Sequence, residues 1–499
     1  MYGMYFISKS KEEEDGIWSI CGTPQNGRYL NDLTGSSVSI CADGSYMITG
    51  SHTGAVLYMY DNGIFDWVLA YDFSEDLLPN RQYYHYRAVL SDDCSKVVIG
   101  APGNDEKGYD AGSVQVFSKE DVRIIEETEE EVWVEQQALF GNRFEDLFGY
   151  AVDVSEDGQY VIVGAPGADY VEVFELRSNG LQWDLVNTLK GTSKGDQFGH
   201  SVAISGSGER AIMGAPLGGQ LGFNGYVRIV NLLDLSFVKT ISGKTAGAQV
   251  GEAVDISQDG STVAFSSAVN GHVIVFAFNE MAQDWQKVGV SICVEEEAFG
   301  SDVSLSGDGE LVAIGAPLNN HYGPRSGKAY VYEKQEEWAQ MGLEKFGTTA
   351  FDSCGTAVSI SSDKKRWMMG CPERDDNGKD KGQATVYCSE NPAFATQSPS
   401  LVPSHLPSHM PTATPSLPPT FQPSSSPTYM PSAGPSSMPS RRPTSKPSQK
   451  PSLSPTHEPT SKPSGKPSMF PTLIPTRMPT SKPSSSPTSK PTTCYYVCE

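Results

Sequence analysis

Long apolar runs are missing from this 499-residue chain: none approaches the roughly 18 residues that a bilayer-spanning helix needs. Residues 1–20 also lack the apolar centre of a secretory leader and carry Lys9, Lys11 and three glutamates instead. Any leader is therefore expected from sequence upstream of Met1. No Asn-x-Ser/Thr sequon is present, which excludes N-linked glycosylation of this chain. Histidine is scarce, with eight residues of which three fall in the last hundred, and no catalytic constellation stands out in the sequence. Cations are sparse before Pro392. Beyond it, nine Lys and Arg face only Glu458 and Glu499, so that part carries +7, and the whole-chain −23 leaves −23 − 7 = −30 on the rest. A head that acidic repels phosphate backbones, so no nucleic-acid partner is expected.

What the chain does have is a repeat. Phe148-Gly149 opens a stretch that closes at Gly164-Ala165-Pro166, and the pattern returns from Phe198 and Phe299 and, more eroded, four further times. Anchored on the first glycine, seven copies begin at 35, 85, 149, 199, 251, 300 and 355, with His85 replacing glycine in the second. In all seven the residue opening the Gly-Ala-Pro step follows 15 positions later, and only Ser266 departs from glycine there. Residues three and five after the anchor are apolar throughout (Val152 and Val154, for example), the period of a strand with one buried face. Asp-Gly pairs such as Asp157-Gly158 then supply a tight turn, and runs such as Val161-Ile162-Val163 a fully buried second strand. A third strand follows a loop of variable length. Trp67, Trp133, Trp183, Trp285 and Trp338 mark a fourth, with Leu235 at the equivalent place in the fourth copy.

Trp18 precedes the first copy by 17 residues, and the seventh copy has no tryptophan after it. The amino-terminal strand is therefore expected to complete the last blade of an all-β, seven-bladed propeller of four-stranded antiparallel blades, a closure that leaves only short sheet edges. The expected organisation is a flexible start (1–16), the propeller (17–390), a disordered Pro/Ser/Thr-rich stalk (391–493) and a short Cys-containing end (494–499). From Pro399 to Pro491 a proline recurs at every fourth residue, which forbids helix and sheet and suits an extended, O-glycosylated spacer.

Phe-Gly, Asp-Gly and Gly-Ala-Pro in this order resemble the FG-GAP repeats of integrin α-subunit propellers, and the tail resembles stalks of algal surface and cell-wall proteins. The resemblance implies an extracellular scaffold for protein or glycan contacts, often adhesive. It does not carry over the family's calcium sites: turns such as Ser-Glu-Asp-Gly are too short to offer six oxygens. No cofactor is expected. A weak metal candidate is the loop with Asp375, Asn377 and Asp380, whose charge Lys379 and Lys381 oppose; Asn104, Asp105, Glu106 and Asp110 are weaker still. The acidic run 126–131 reads as a solvated loop.

Cys354 and Cys371 lie symmetrically about a hairpin turn, and Cys21 and Cys388 fall on neighbouring strands of the closing blade. Both pairs are expected disulfides, and hence point to an oxidising compartment; four buried thiols are the alternative. Cys41, Cys94 and Cys293 show no partner in the sequence. Ligands are expected on the face bearing the loops between second and third strands, with His321, Tyr322 and Arg325 the foremost candidates because Tyr and Arg are enriched at binding hot spots. The basic tail would hold the protein to a cell wall or surface. Two rival readings are a propeller hydrolase or lyase acting on extracellular polysaccharide, and an intracellular, cytoplasmic scaffold.

Overall fold

The computed structural model describes residues 17–389 except 81–83, 126–127, 178–179, 220–221, 236–237, 295–297 and 377. The expected flexible start, stalk and Cys-containing end lie outside the described residues, as does Asn377. The described chain forms seven antiparallel sheets of four principal strands, four of them with a short fifth segment. Blade 3 shows the pattern: Ala151–Val154, Tyr160–Ala165, Tyr170–Leu176 and Trp183–Lys190, from the centre outward. Blade 7 takes Ala357–Ile360, Arg366–Cys371 and Gln383–Ser389 from the end of the ring and Trp18–Ile20 from its start. That closing strand pairs Trp18 with Ser389, Ser19 with Cys388 and Ile20 with Tyr387.

Closure is visible in the backbone bonding of the Asp-Gly turns. The Ala42 N–H donates to Asp92 O, Asp93 to Glu156, Glu156 to Gly206, Gly206 to Gln258, Gln258 to Gly307, Gly307 to Ser362, and Asp363 back to Ala42. One bond crosses each of the seven junctions and the circuit ends where it began. At the opposite end the glycine of Gly-Ala-Pro is a packing requirement. A Cβ on Gly164 would stand 2.0 Å from Gly199 O, one on Gly315 2.0 Å from Gly355 O, and one on Gly370 2.1 Å from Gly35 O. In blades 2, 3, 4, 6 and 7 the second strand thus meets the next blade's anchor backbone directly, and in blade 1 Gly50 meets the residue after the anchor, Tyr86. Ser266 breaks the rule, and its Oγ accepts from the Ala253 amide.

The core is spread over the junctions rather than collected at one centre. Phe148, Phe198 and Phe299 are fully buried. Phe148 packs with Val114 and Val116 of blade 2 as well as with Phe174 of its own blade. The outer-strand tryptophans reach backwards: the indole N–H of Trp18 donates to Met341 O, that of Trp67 to Cys21 O and that of Trp338 to Val288 O. Blade 4 corrects the sequence reading here. Leu235 lies in the turn before the outer strand Val238–Ser242, with positive φ and 42 % exposed, because it has neither the bulk nor the donor to be drawn into the junction. The acidic run is a second correction. Thr128–Glu135 is a strand paired with Ser113–Ile125, with the apolar run Val132-Trp133-Val134 at its end, and not a loop; Glu126 and Glu127 lie outside the described residues.

Candidate functional site

Two places on the ring present chemistry: the central channel and the face opposite the Asp-Gly turns. The channel, about 450 Å³, is walled by the inner strands, whose alternate residues point to its axis. An innermost strand has amides with no partner in its own sheet, and unmet buried donors are costly. Side chains of the preceding blade supply the acceptors. Ser39 Oγ accepts from Leu90 N (3.1 Å), Ser304 Oγ from Ile360 N (3.2 Å) and Ser359 Oγ from Ile40 N (3.2 Å).

Val89 and Ala203 cannot do this, and the blades that follow them each carry an aspartate instead. Asp153 accepts from its own neighbour Val154 and, at 2.8 Å, from Ile204 of the next blade. Asp255 accepts from Ile256 (2.8 Å) and from Leu305 (2.6 Å). One turn of the alternation earlier, Asp302 follows Ala253 and accepts from Val303 (3.0 Å) and Val358 (2.8 Å). Burial pushes the Asp153 carboxyl up to about 7, Asp302 to about 6 and Asp255 well above the usual range, against the pull of those amides. At the mouth, burial drives His200 down to about 4, so at neutral pH the 3.8 Å approach of its Nε2 to Glu252 Oε1 is no ion pair. Arg87 bonds Ser36 O at 3.0 Å and lies 5.8 Å from the centre of the Tyr150 ring.

On the opposite face, each second-to-third-strand loop is bonded to the connection leading to the next blade: Leu147 N to Asp110 O, Gln249 N to Phe223 O, Ser353 N to Arg325 O and Leu33 N to Asp380 O. The loops also close on themselves, as Asp105 Oδ1 accepts from Asp110 N, Asn320 Oδ1 from Arg325 N and Asp375 Oδ1 from Asp380 N. The structure thus gives Asp375 a loop-closing role, and the carboxylate of Asp376 pairs with Arg374. The structure separates the three binding candidates. His321 and Tyr322 are exposed and meet edge-on at 4.5 Å, and His321 stacks on Phe346 at 4.5 Å. Arg325 turns away to pair with Glu373 of blade 7 (2.8 Å) and to reach Ser353 Oγ (3.3 Å). Phe346, which the sequence reading missed, belongs to a short segment paired with the third strand of blade 6, too brief to give a strand signal. With Tyr322, Lys345 and Tyr387 it borders a cleft of about 380 Å³ beside the closing strand.

A second family of carboxylates was also missed. Asp146 accepts from Asn142 N, Arg143 N and Tyr170 OH, and Asp196 from Ser193 N, Thr192 Oγ1 and Tyr226 OH. They stand three residues before the anchor, a position the repeat could have revealed. Gly191-Thr192-Ser193-Lys194-Gly195 matches the spacing of a hydrolase nucleophile elbow, but it is one of these connections and leads to an inner strand rather than a helix.

The structure joins Cys21 to Cys388 and Cys354 to Cys371. It adds Cys41–Cys94, a pair 53 residues apart that only the adjacency of blades 1 and 2 brings together. Asp43 approaches both of those sulfurs, which as a disulfide offer no thiolate to a metal.

A family model described as FG-GAP repeat matches residues 294–332, the junction of blades 5 and 6 with most of blade 6. Together with seven blades built on the same fixed spacing, that match supports an FG-GAP propeller, a fold that serves in general as a binding scaffold. Comparison with curated proteins finds no match. Among the described residues no helix is long and apolar enough to cross a membrane.

Proposed function

We propose that this chain is an extracellular or surface-displayed recognition scaffold, working in adhesion or in protein or glycan binding rather than in catalysis. The observation that carries the reading is the contrast between a frame bonded alike at every junction and a loop face whose chemistry changes from blade to blade. The exposed His321 and Tyr322, set against the half-buried Phe346, are its strongest contact point. Aromatic rings on a rigid support bury large area at low entropic cost. Three disulfides favour an oxidising compartment over the cytoplasm, and the basic Pro/Ser/Thr tail suits attachment to an acidic wall or surface. The test is binding of the full chain to a protein and glycan array, with His321→Ala/Tyr322→Ala beside it. Loss of the signal by a variant with unchanged melting temperature is expected; retention of it removes the loop face from the reading.

A polysaccharide hydrolase or lyase is the second reading, because Asp153, Asp255 and Asp302 do converge on the channel. Their engagement with two amides each accounts for them as inter-blade caps. Cleavage of a polysaccharide panel by the full chain, abolished by Asp255→Asn, would establish the enzyme instead.

A further inference from the structure

Blade 5 departs from the repeat at its loop-bearing end in a concerted way. Val250 stands where blades 3, 4 and 6 carry the fully buried Phe148, Phe198 and Phe299. Ala248 replaces the loop-closing aspartate of blades 3 and 4. Ile274, paired with Phe265, occupies the place of the polar Gln115, Glu172, Arg228 and Thr385 in blades 2, 3, 4 and 7, and of Val56 and Tyr330 in blades 1 and 6. The connection between its second and third strands is a single turn, Ala268–Asn270, too short to fold over the space so created.

What results is a cleft of about 450 Å³ between the outer strand of blade 4 and the third strand of blade 5. It is lined on its apolar side by the partly exposed Ile241, Ile274 and Phe276, with the buried Val250 and Phe265 beneath them. Phe276 registers the missing ring: it is half-buried, whereas Phe117 and Phe174 at the same strand position are buried. Phe265 stacks on it at 5.7 Å and takes up part of the volume. Lys244 and Lys287 stand exposed at the rim, Lys287 Nζ donating to Ser291 Oγ at 2.9 Å. Burial and the charge of Lys287 push the neighbouring His272 down.

We propose that this cleft binds a small amphipathic anion, its aromatic or branched aliphatic body on Val250, Phe265, Ile274 and Phe276 and its carboxylate or sulfonate between Lys244 and Lys287. The volume lies within the roughly 300–1,000 Å³ of small-ligand sites, and an apolar floor with few placed polar groups is their usual composition. Two lysines at one apolar opening on a head of net charge −30 (the −23 of the chain less the +7 of its tail) give the charge complementarity that selects an anion.

The experiment titrates the full chain with 2-naphthoate and with uncharged 2-naphthol by calorimetry. Saturable naphthoate binding is expected, with naphthol at least about tenfold weaker. Val250→Phe, which restores the ring of the other blades, should abolish binding while leaving the melting temperature unchanged or raised. Should that variant fail to fold, Ile274→Glu, the residue of blade 3, should weaken naphthoate more than naphthol, and Lys244→Met/Lys287→Met should equalise them. A folded Val250→Phe or Ile274→Glu protein that binds naphthoate as the parent does overturns the site. Absence of saturable binding overturns it as well. Equal affinity of the parent for both probes overturns its anion preference.

Discussion

Replacing Cys21 and Cys388 by alanine tests the closure of the ring most directly. The bond spans 367 residues, the largest loop the fold offers. The chain-entropy relation for so long a loop gives about 5–6 kcal/mol of constraint on the unfolded state. With an unfolding entropy of about 2.1 cal/mol/K per residue over about 370 residues, that corresponds to a fall in melting temperature of about 7 °C. The three residue pairs between Trp18–Ile20 and Tyr387–Ser389 remain, with Trp18 still 3 % exposed against Trp367, so the ring should stay assembled. Scanning calorimetry under non-reducing conditions measures the shift. Amide exchange supplies the second readout: Ile20 and Tyr387 should lose protection while the amides that link the Asp-Gly turns keep theirs. A shift below about 2 °C, or equal loss of protection around the ring, would refute the reasoning, since the covalent clasp would then add little to a strand already zipped in place.

Trp18→Ala removes the closing strand's principal core side chain and should cost about 3–5 kcal/mol, read as the shift of a denaturant midpoint; a cost under about 1 kcal/mol contradicts the packing described. Gly164→Ala, with its Cβ 2.0 Å from Gly199 O, should fold poorly or melt far lower, whereas Gly63→Ala, whose nearest neighbour is 3.1 Å away, should be near neutral; comparable melting temperatures for the two contradict the junction geometry. Asp153 binds its proton more tightly folded than unfolded, so the stability it contributes is full below about pH 4 and is lost as pH rises through about 7. The melting temperature of Asp153→Asn relative to the parent should therefore climb from pH 4 to pH 8, by an amount that channel water reduces; a falling difference reverses the sign of the argument. Ser39→Ala strands the Leu90 amide and should cost about 1–3 kcal/mol, with faster exchange at that amide as the check.

Much of the fold was legible because its signals are local and repeat. Two apolar residues at fixed offsets, an Asp-Gly turn and a buried run define an inner hairpin, and seven copies without slippage leave few alternatives to a ring. The displaced tryptophan even named the strand that closes it. Leu235 was misplaced because its role was inferred from spacing alone, while only a side chain able to fill the junction holds that position. Phe346 escaped because a two-residue segment carries no periodicity. The three channel aspartates read as isolated acids in the sequence, and the relation of Asp153 to Val89 and of Asp255 to Ala203 appears only once one inner strand lies beside the next.

The sequence by itself therefore determined the seven blades, their four principal strands and their closure, since these rest on periodicity and turn chemistry within some fifty residues. Only the tertiary structure decided what crosses between blades. It paired Cys41 with Cys94 and tied the exposed Arg325 to Glu373 of the next blade while leaving His321 and Tyr322 in solvent. It made acceptors of the channel carboxylates, and it opened a cleft where Val250 replaces phenylalanine. Each of those outcomes depends on which residue of the neighbouring blade stands opposite, and that adjacency is set by the closed ring rather than by distance along the chain.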